Sequence, residues 1–154
     1  MTEYDLTKYL HILSSTVLFG TGLGTAFQMV QAMRTGRAQT ISDVAAAVVR
    51  ADLIFTTPAG IIQPLTGLWL IHAVGYSLTE PWLIAAYILY MLAFLCWLPV
   101  VILQIRIRDL ARETPPDIPE IRRLYRLWFA LGWPAFAALV GVFWLMVSRP
   151  DFGL

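Results

Sequence analysis

The stretch WLIAAYILYMLAFLCWLPVVILQI, residues 82–105, carries no charged side chain. A helix needs about 20 predominantly apolar residues to cross the hydrocarbon core of a bilayer, and this stretch is long enough. Three other apolar stretches of comparable length lie at about residues 10–33, 53–73 and 128–147. The sequence therefore predicts an all-α polytopic membrane protein, in which residues 1–154 form a single antiparallel bundle of four transmembrane helices.

The overall composition favours the same class of protein. Hydrophobic residues make up 58% of the chain and charged residues 14%, whereas about a quarter of a soluble domain is charged. The mean hydropathy is +0.68, so lipid is the expected partner. A formal net charge of +1 gives no reason to expect nucleic-acid binding. Cys96 is the single cysteine, so an intrachain disulfide is impossible. Glu3 and Asp5 stand where a signal peptide would be basic, so we expect no cleaved signal.

The cations are distributed very unevenly between the loops. Lys8 and Arg149 flank the first and last apolar stretches. The other nine cations lie between the first and second stretches and between the third and fourth. Positively charged loops face the cytoplasm. The sequence therefore predicts a multi-pass protein of the bacterial inner membrane with both termini outside, on the periplasmic side. The nine cations are Arg34, Arg37, Arg50, Arg106, Arg108, Arg112, Arg122, Arg123 and Arg126.

Two histidines, His11 and His72, fall on separate predicted helices at similar depth near the outer boundary. Imidazole is a common axial ligand of haem iron, and helical bundles build cofactor sites from facing side chains. His11 shares a helix face with Ser15 and Gly22, which leave room for a flat cofactor, and Lys8 lies one turn earlier. This pattern predicts a haem b site with His11 as axial ligand and His72 as the second. The alternative is that both histidines are interfacial residues with their polar tips among the headgroups.

The second predicted span carries a polar residue, Gln63, near the middle of the membrane. A polar side chain at that depth faces the bundle interior and either marks a site or hydrogen-bonds a neighbouring helix. Arg50 and Asp52 precede this span. Together with nearby arginines they predict either a site for an anionic group or a simple cytoplasmic anchor.

Gly20 and Gly24 form a GxxxG pair on the face of the first helix opposite His11. Small residues at this spacing let two membrane helices approach closely. The pair predicts either a homodimer packed along the first helix or close packing against another helix of the same chain.

Nearly the whole chain resembles a bacterial family of membrane proteins known as DUF2269, a domain of unknown function. The resemblance is carried by four stretches: KYLHILSSTVLFGTG, FTTPAGIIQPLTGLWL, CWLPVVILQIRIRDLA and WFALGWPAFAALVGVFWLMVSRP. The resemblance implies an integral membrane protein. It implies no particular activity, because none is established for the family.

The chain also resembles, more distantly, the J-type protoporphyrinogen oxidase and the membrane domain of copper-resistance protein D. The matching residues are Lys8 and His11, the run Gly67-Leu68-Trp69-Leu70, and Tyr125-Arg126. The resemblance to the J-type oxidase implies a four-helix protein that binds haem b through His11. Two features depart from that family: the third helix lacks its further Lys and His, and FALGW replaces its Asn-Glu pair. The resemblance thus favours a shared bundle with a porphyrin-sized cleft over that activity.

Three functions follow as hypotheses. The first is a haem b protein that passes electrons, with a membrane quinol or quinone as partner, or has another porphyrin-related redox role. The second is a cofactor-free structural, accessory or transport protein for a small solute or metal. The third is a protoporphyrinogen oxidase-like enzyme. The scarcity of intramembrane ionisable residues favours the second, and an absorbance spectrum separates the first two.

Overall fold

The computed structural model describes residues 1–151, and every regular element within them is helical. Four segments are long and apolar enough to cross a membrane, which confirms the predicted four-span, all-α class. The elements are α1 (Glu3–Thr35), α2 (Ala38–Ala51), a π-helical turn (Asp52–Thr56), α3 (Thr57–Val74), α4 (Pro81–Leu110) and α5 (Ile118–Ser148).

Short sequence signals set the ends of the helices. Thr2 and Asp5 form a capping box at the start of α1, and Gly36 ends it with a φ of 64°. This left-handed backbone conformation favours glycine. At the start of α5, the Asp117 carboxylate accepts a hydrogen bond of 3.0 Å from the Glu120 backbone N–H. These caps satisfy backbone groups that a helix end otherwise leaves without partners.

The second span is longer than the hydrophobic pattern indicates, because α2 continues through the π-helical turn into α3 as one helical segment, Ala38–Val74. The turn precedes Pro58, which has no N–H and whose ring clashes with the carbonyl four residues earlier in a regular helix. The Asp52 carbonyl instead accepts hydrogen bonds from the Thr57 backbone N–H and, at 2.9 Å, from its hydroxyl. The wider turn thus accommodates the proline, and it leaves Asp52 and Thr56 buried.

The bundle consists of two helix pairs, α1 with α3 and α4 with α5. Direct approach of α1 to α5, and of α3 to α4, is much less extensive. The pairs meet through Phe19, which stacks on Phe136 at 5.2 Å, and through the Tyr90 hydroxyl, which donates to the Gly60 carbonyl at 2.6 Å. The end of the bundle that carries the α1–α2 and α4–α5 connections is the arginine-rich end. There α2 packs against α1 and α4 around a buried cluster that includes Met29. This arrangement holds the pairs together at that end and leaves a cleft between them.

At the opposite end of the bundle, Arg149 joins the end of α5 to the connection between α3 and α4. Its guanidinium donates to the Tyr76 hydroxyl at 2.8 Å and lies over the Tyr76 and Trp82 rings. The end of α5 therefore meets the α3–α4 connection. Since the first part of α1 packs against the last part of α3 through His11 and Gly67, both ends of the described chain lie at this end of the bundle.

Candidate functional site

His11 lies in the interface between α1 and α3, against Gly67. A Cβ atom at Gly67 would come within 3.1 Å of His11 Cε1, so the glycine makes room for the imidazole. His11 Nδ1 lies 2.8 Å from the Thr66 hydroxyl, and its Nε2 lies 3.1 Å from Gln63 Nε2. The Thr66 hydroxyl donates to the Ile62 carbonyl at 2.7 Å. A neutral imidazole with its proton on Nδ1 satisfies all of these groups.

Gln63 completes this network across the interface, because its Oε1 accepts a hydrogen bond from the Ser14 hydroxyl. The predicted mid-membrane polar residue therefore faces α1 and joins two helices. Ser15 is not part of the network, since its hydroxyl donates to the Ile12 carbonyl of its own helix at 2.7 Å. Lys8 is exposed, and its ammonium group lies 5.7 Å from the centre of the Tyr4 ring.

His72 does not join His11. It is exposed, and its imidazole makes no hydrogen bond within residues 1–151. His72 lies five residues beyond Gly67, which corresponds to about 140° around the helix from the face that holds His11. As they lie in this fold, the two imidazoles do not face each other across a common cleft. No group of three or more His, Cys, Asp or Glu side chains in the described chain is placed to hold a metal ion.

A cavity of about 600 Å³ lies between the two helix pairs and is lined by residues from all four spans. Gly22, from the face predicted to approach a cofactor, is part of its wall, whereas His11 and Gln63 are not. A Cβ atom at Gly22 would meet nothing within 4 Å, so a side chain there would enter open space. Among the lining residues, Leu23 and Trp133 are 52% and 59% exposed. The cavity therefore opens onto the lipid-facing surface of the bundle.

The wall of this cavity is largely apolar, and its polar groups gather at the arginine-rich end. There the Asp52 carboxylate, 4% exposed, accepts a hydrogen bond of 2.7 Å from the Thr56 hydroxyl. With its amide oriented to suit both neighbours, Gln104 donates to Asp52 Oδ2 at 3.0 Å and accepts from Trp128 Nε1 at 3.2 Å. The Trp97 indole lies near the same carboxylate, and its buried Nε1 completes no hydrogen bond within the described residues.

Gly20 and Gly24 are exposed, and a Cβ atom at either would meet nothing within 4 Å. Within the described residues no other helix packs closely against either glycine, so the predicted close packing within the chain is wrong. The homodimer stays a prediction.

A scan against protein-family models matches residues 5–150 to DUF2269, described as a predicted integral membrane protein. The chain belongs to the DUF2269 family. No curated protein and no solved structure matches this DUF2269 protein. The family match and the four candidate spans together establish an integral, multi-pass membrane protein that contacts lipid.

Proposed function

We propose that this DUF2269 protein binds a lipophilic molecule in the cavity between its two helix pairs. The observation that carries the proposal is the cavity itself, with about 600 Å³ of space, walls from all four spans and polar groups at one end. Binding sites for small molecules are typically concave, about 300–1,000 Å³ in volume, and mostly apolar with a few placed polar groups. A transport or accessory role for such a molecule agrees with the cofactor-free hypothesis.

The opening of the cavity toward lipid supports a ligand that partitions into the bilayer. Exposed side chains such as Leu23, Leu98 and Trp133 belong to its wall, so a molecule dissolved in the membrane reaches the cavity without crossing water. The network at Asp52 lies at the arginine-rich end and provides the only concentration of polar groups among the described lining residues. It orients the polar part of an amphipathic ligand toward that end, which the positive-inside rule predicts to face the cytoplasm.

The proposal is tested with the neutral fluorescent probe N-phenyl-1-naphthylamine and the purified protein in detergent. Trp97, Trp128 and Trp133 line the cavity and serve as energy donors. The wild type is expected to show saturable energy transfer to the probe. Gly22→Leu places a side chain in the open space that the probe would occupy, and it is expected to weaken binding by about 5- to 150-fold, because overpacking a site costs about 1–3 kcal/mol.

Gly20→Leu is the matched control for this experiment. It makes the same change on α1, also at a position without neighbours within 4 Å, but outside the cavity wall. Unchanged probe binding in Gly20→Leu and weakened binding in Gly22→Leu support the proposal. Equal energy transfer in both variants, or transfer that never saturates in the wild type, contradicts it.

Haem b is the second candidate. The observation in its favour is that His11 has a defined position between α1 and α3, where Gly67 leaves room for the imidazole ring. The cavity wall described above includes no His, Cys or Met side chain to bind iron. Ligation by His11 requires one ring nitrogen to leave Thr66 or Gln63. The haem prediction, with its redox role, quinone partner and oxidase-like variant, therefore depends on the distant resemblance, and a spectrum of the purified protein tests it.

A further inference from the structure

Among the residues that the structure describes, no cationic side chain forms an ion pair with the buried carboxylate of Asp52. Ion pairs elsewhere in the described chain join Arg108 to Asp109 and Arg123 to Glu120, and neither of them includes Asp52. Thr56 and Gln104, which do contact Asp52, supply neutral hydrogen bonds. Burial of an ionised carboxylate without a counter-charge costs a large solvation free energy. Asp52 therefore needs either a bound proton or a positively charged partner.

The cavity beside Asp52 has room and the right walls for such a partner. No Lys, Arg or His side chain is part of the described wall, so its one charged group is negative. Eight of the lining side chains are aromatic, among them Phe19, Trp97 and Trp133. The face of an aromatic ring attracts a cation, and the attraction is stronger away from water.

We propose that the cavity takes a lipophilic organic cation, with Asp52 as its counter-ion and the aromatic rings around its apolar part. This inference rests on the proposed binding function and names its ligand class. Neutral ligands gain no charge pairing with Asp52, and anionic ligands such as a porphyrin with ionised propionates are repelled by the ionised Asp52 carboxylate. A bound cation then provides the positive counter-charge that no described side chain provides to the Asp52 carboxylate.

The test compares tetraphenylphosphonium with tetraphenylborate, two ions of similar shape and opposite charge, by calorimetric titration of the purified protein in detergent. The wild type is expected to bind the cation at least about tenfold more tightly than the anion. Asp52→Asn removes the charge and weakens cation binding by about 100-fold, as expected when a buried charge loses its partner. Asp52→Glu keeps the charge and restores the preference for the cation.

The neutral probe separates this inference from the proposed function. Asp52→Asn that still binds N-phenyl-1-naphthylamine has an intact cavity, so its loss of cation binding supports the counter-ion role. A wild type that binds both ions equally, or an Asp52→Asn variant with unchanged cation affinity, overturns the inference while the neutral probe still binds. If the wild type binds neither the neutral probe nor the cation, the proposed function fails together with the inference. The wild-type comparison needs no variant, so it decides even if Asp52→Asn does not fold.

Discussion

Replacement of Gln63 by leucine removes the amide that joins α3 to the first part of α1. Leucine has a similar size, so the change deletes hydrogen bonds while it keeps the packed volume. Two bonds are lost, one from the Ser14 hydroxyl to Gln63 Oε1 and one from Gln63 Nε2 to His11 Nε2. The single proton of the Ser14 hydroxyl then turns to the His11 carbonyl, 3.0 Å away, whereas His11 Nε2 is left without a partner.

The expected loss of stability follows from the number of these bonds. Side-chain hydrogen bonds between membrane helices contribute about 0.6 kcal/mol on average and up to about 1.7 kcal/mol. Gln63→Leu is therefore expected to lower the free energy of unfolding by about 1–3 kcal/mol. Of the two bonds between the helices, Ser14→Ala removes only the one to Gln63, together with the contact of the same hydroxyl with the His11 carbonyl inside α1. It is expected to cost about 0.6–1.7 kcal/mol.

The assay is reversible unfolding by dodecyl sulfate in mixed micelles, followed by circular dichroism, for both single variants and the double variant. The double-mutant cycle is expected to give a coupling energy of about 0.6 kcal/mol or more, because the two residues are bonded to each other. Gln28→Leu on α1 is the matched control, since Gln28 is exposed and its amide has no hydrogen-bond partner in the part of the chain that the structure describes. The reasoning is refuted if Gln63→Leu costs no more than Gln28→Leu, or if the effects of Ser14→Ala and Gln63→Leu simply add.

Three further predictions concern topology, haem and assembly. A reporter that is active only in the cytoplasm is expected to be active when fused after Arg112 and silent at the C terminus, because the positive-inside rule predicts that the arginine-rich loops face the cytoplasm; the reverse pattern contradicts the predicted orientation. Haem b at His11 gives the purified protein a Soret absorbance band that His11→Ala abolishes; colourless protein from haem-replete cells contradicts the haem prediction. Gly24→Leu is expected to convert a homodimer into a folded monomer in cross-linking and size measurements, because Gly24 touches no other helix of its own chain; a wild type that is monomeric in mild detergent contradicts the dimer.

The four spans were predictable from sequence because hydrophobicity over about 20 residues is a local property. The full extent of the second span, Ala38–Val74, was not predictable from sequence. Its first part contains polar residues such as Gln39 and Asp43, so hydrophobicity does not identify it as a part of the span. That continuity also depends on the π-helical turn before Pro58, for which hydrophobic periodicity gives no signal.

The cavity and its polar end could not be read from sequence, because they depend on how the helix pairs pack. The sequence shows only that Asp52 lies at the start of a span. Its burial depends on packing against other helices, which contribute Gln104 and Trp128. The spacing along the first helix did single out Gly22, which lines the cavity. The same spacing grouped His11 with it, whereas His11 lies nearer the helix start and packs against α3.

The most direct test of the lipophilic binding site is native mass spectrometry of the detergent-solubilised protein after incubation with N-phenyl-1-naphthylamine. The cavity predicts one bound probe per wild-type chain, saturating as the probe concentration rises, and the same result for Gly20→Leu. Gly22→Leu is expected to carry clearly less bound probe at probe concentrations that only partly saturate the wild type, because its side chain takes up part of the space between the helix pairs. Equal probe binding by wild type and Gly22→Leu, or no bound probe on the wild type, would contradict a binding site in this cavity.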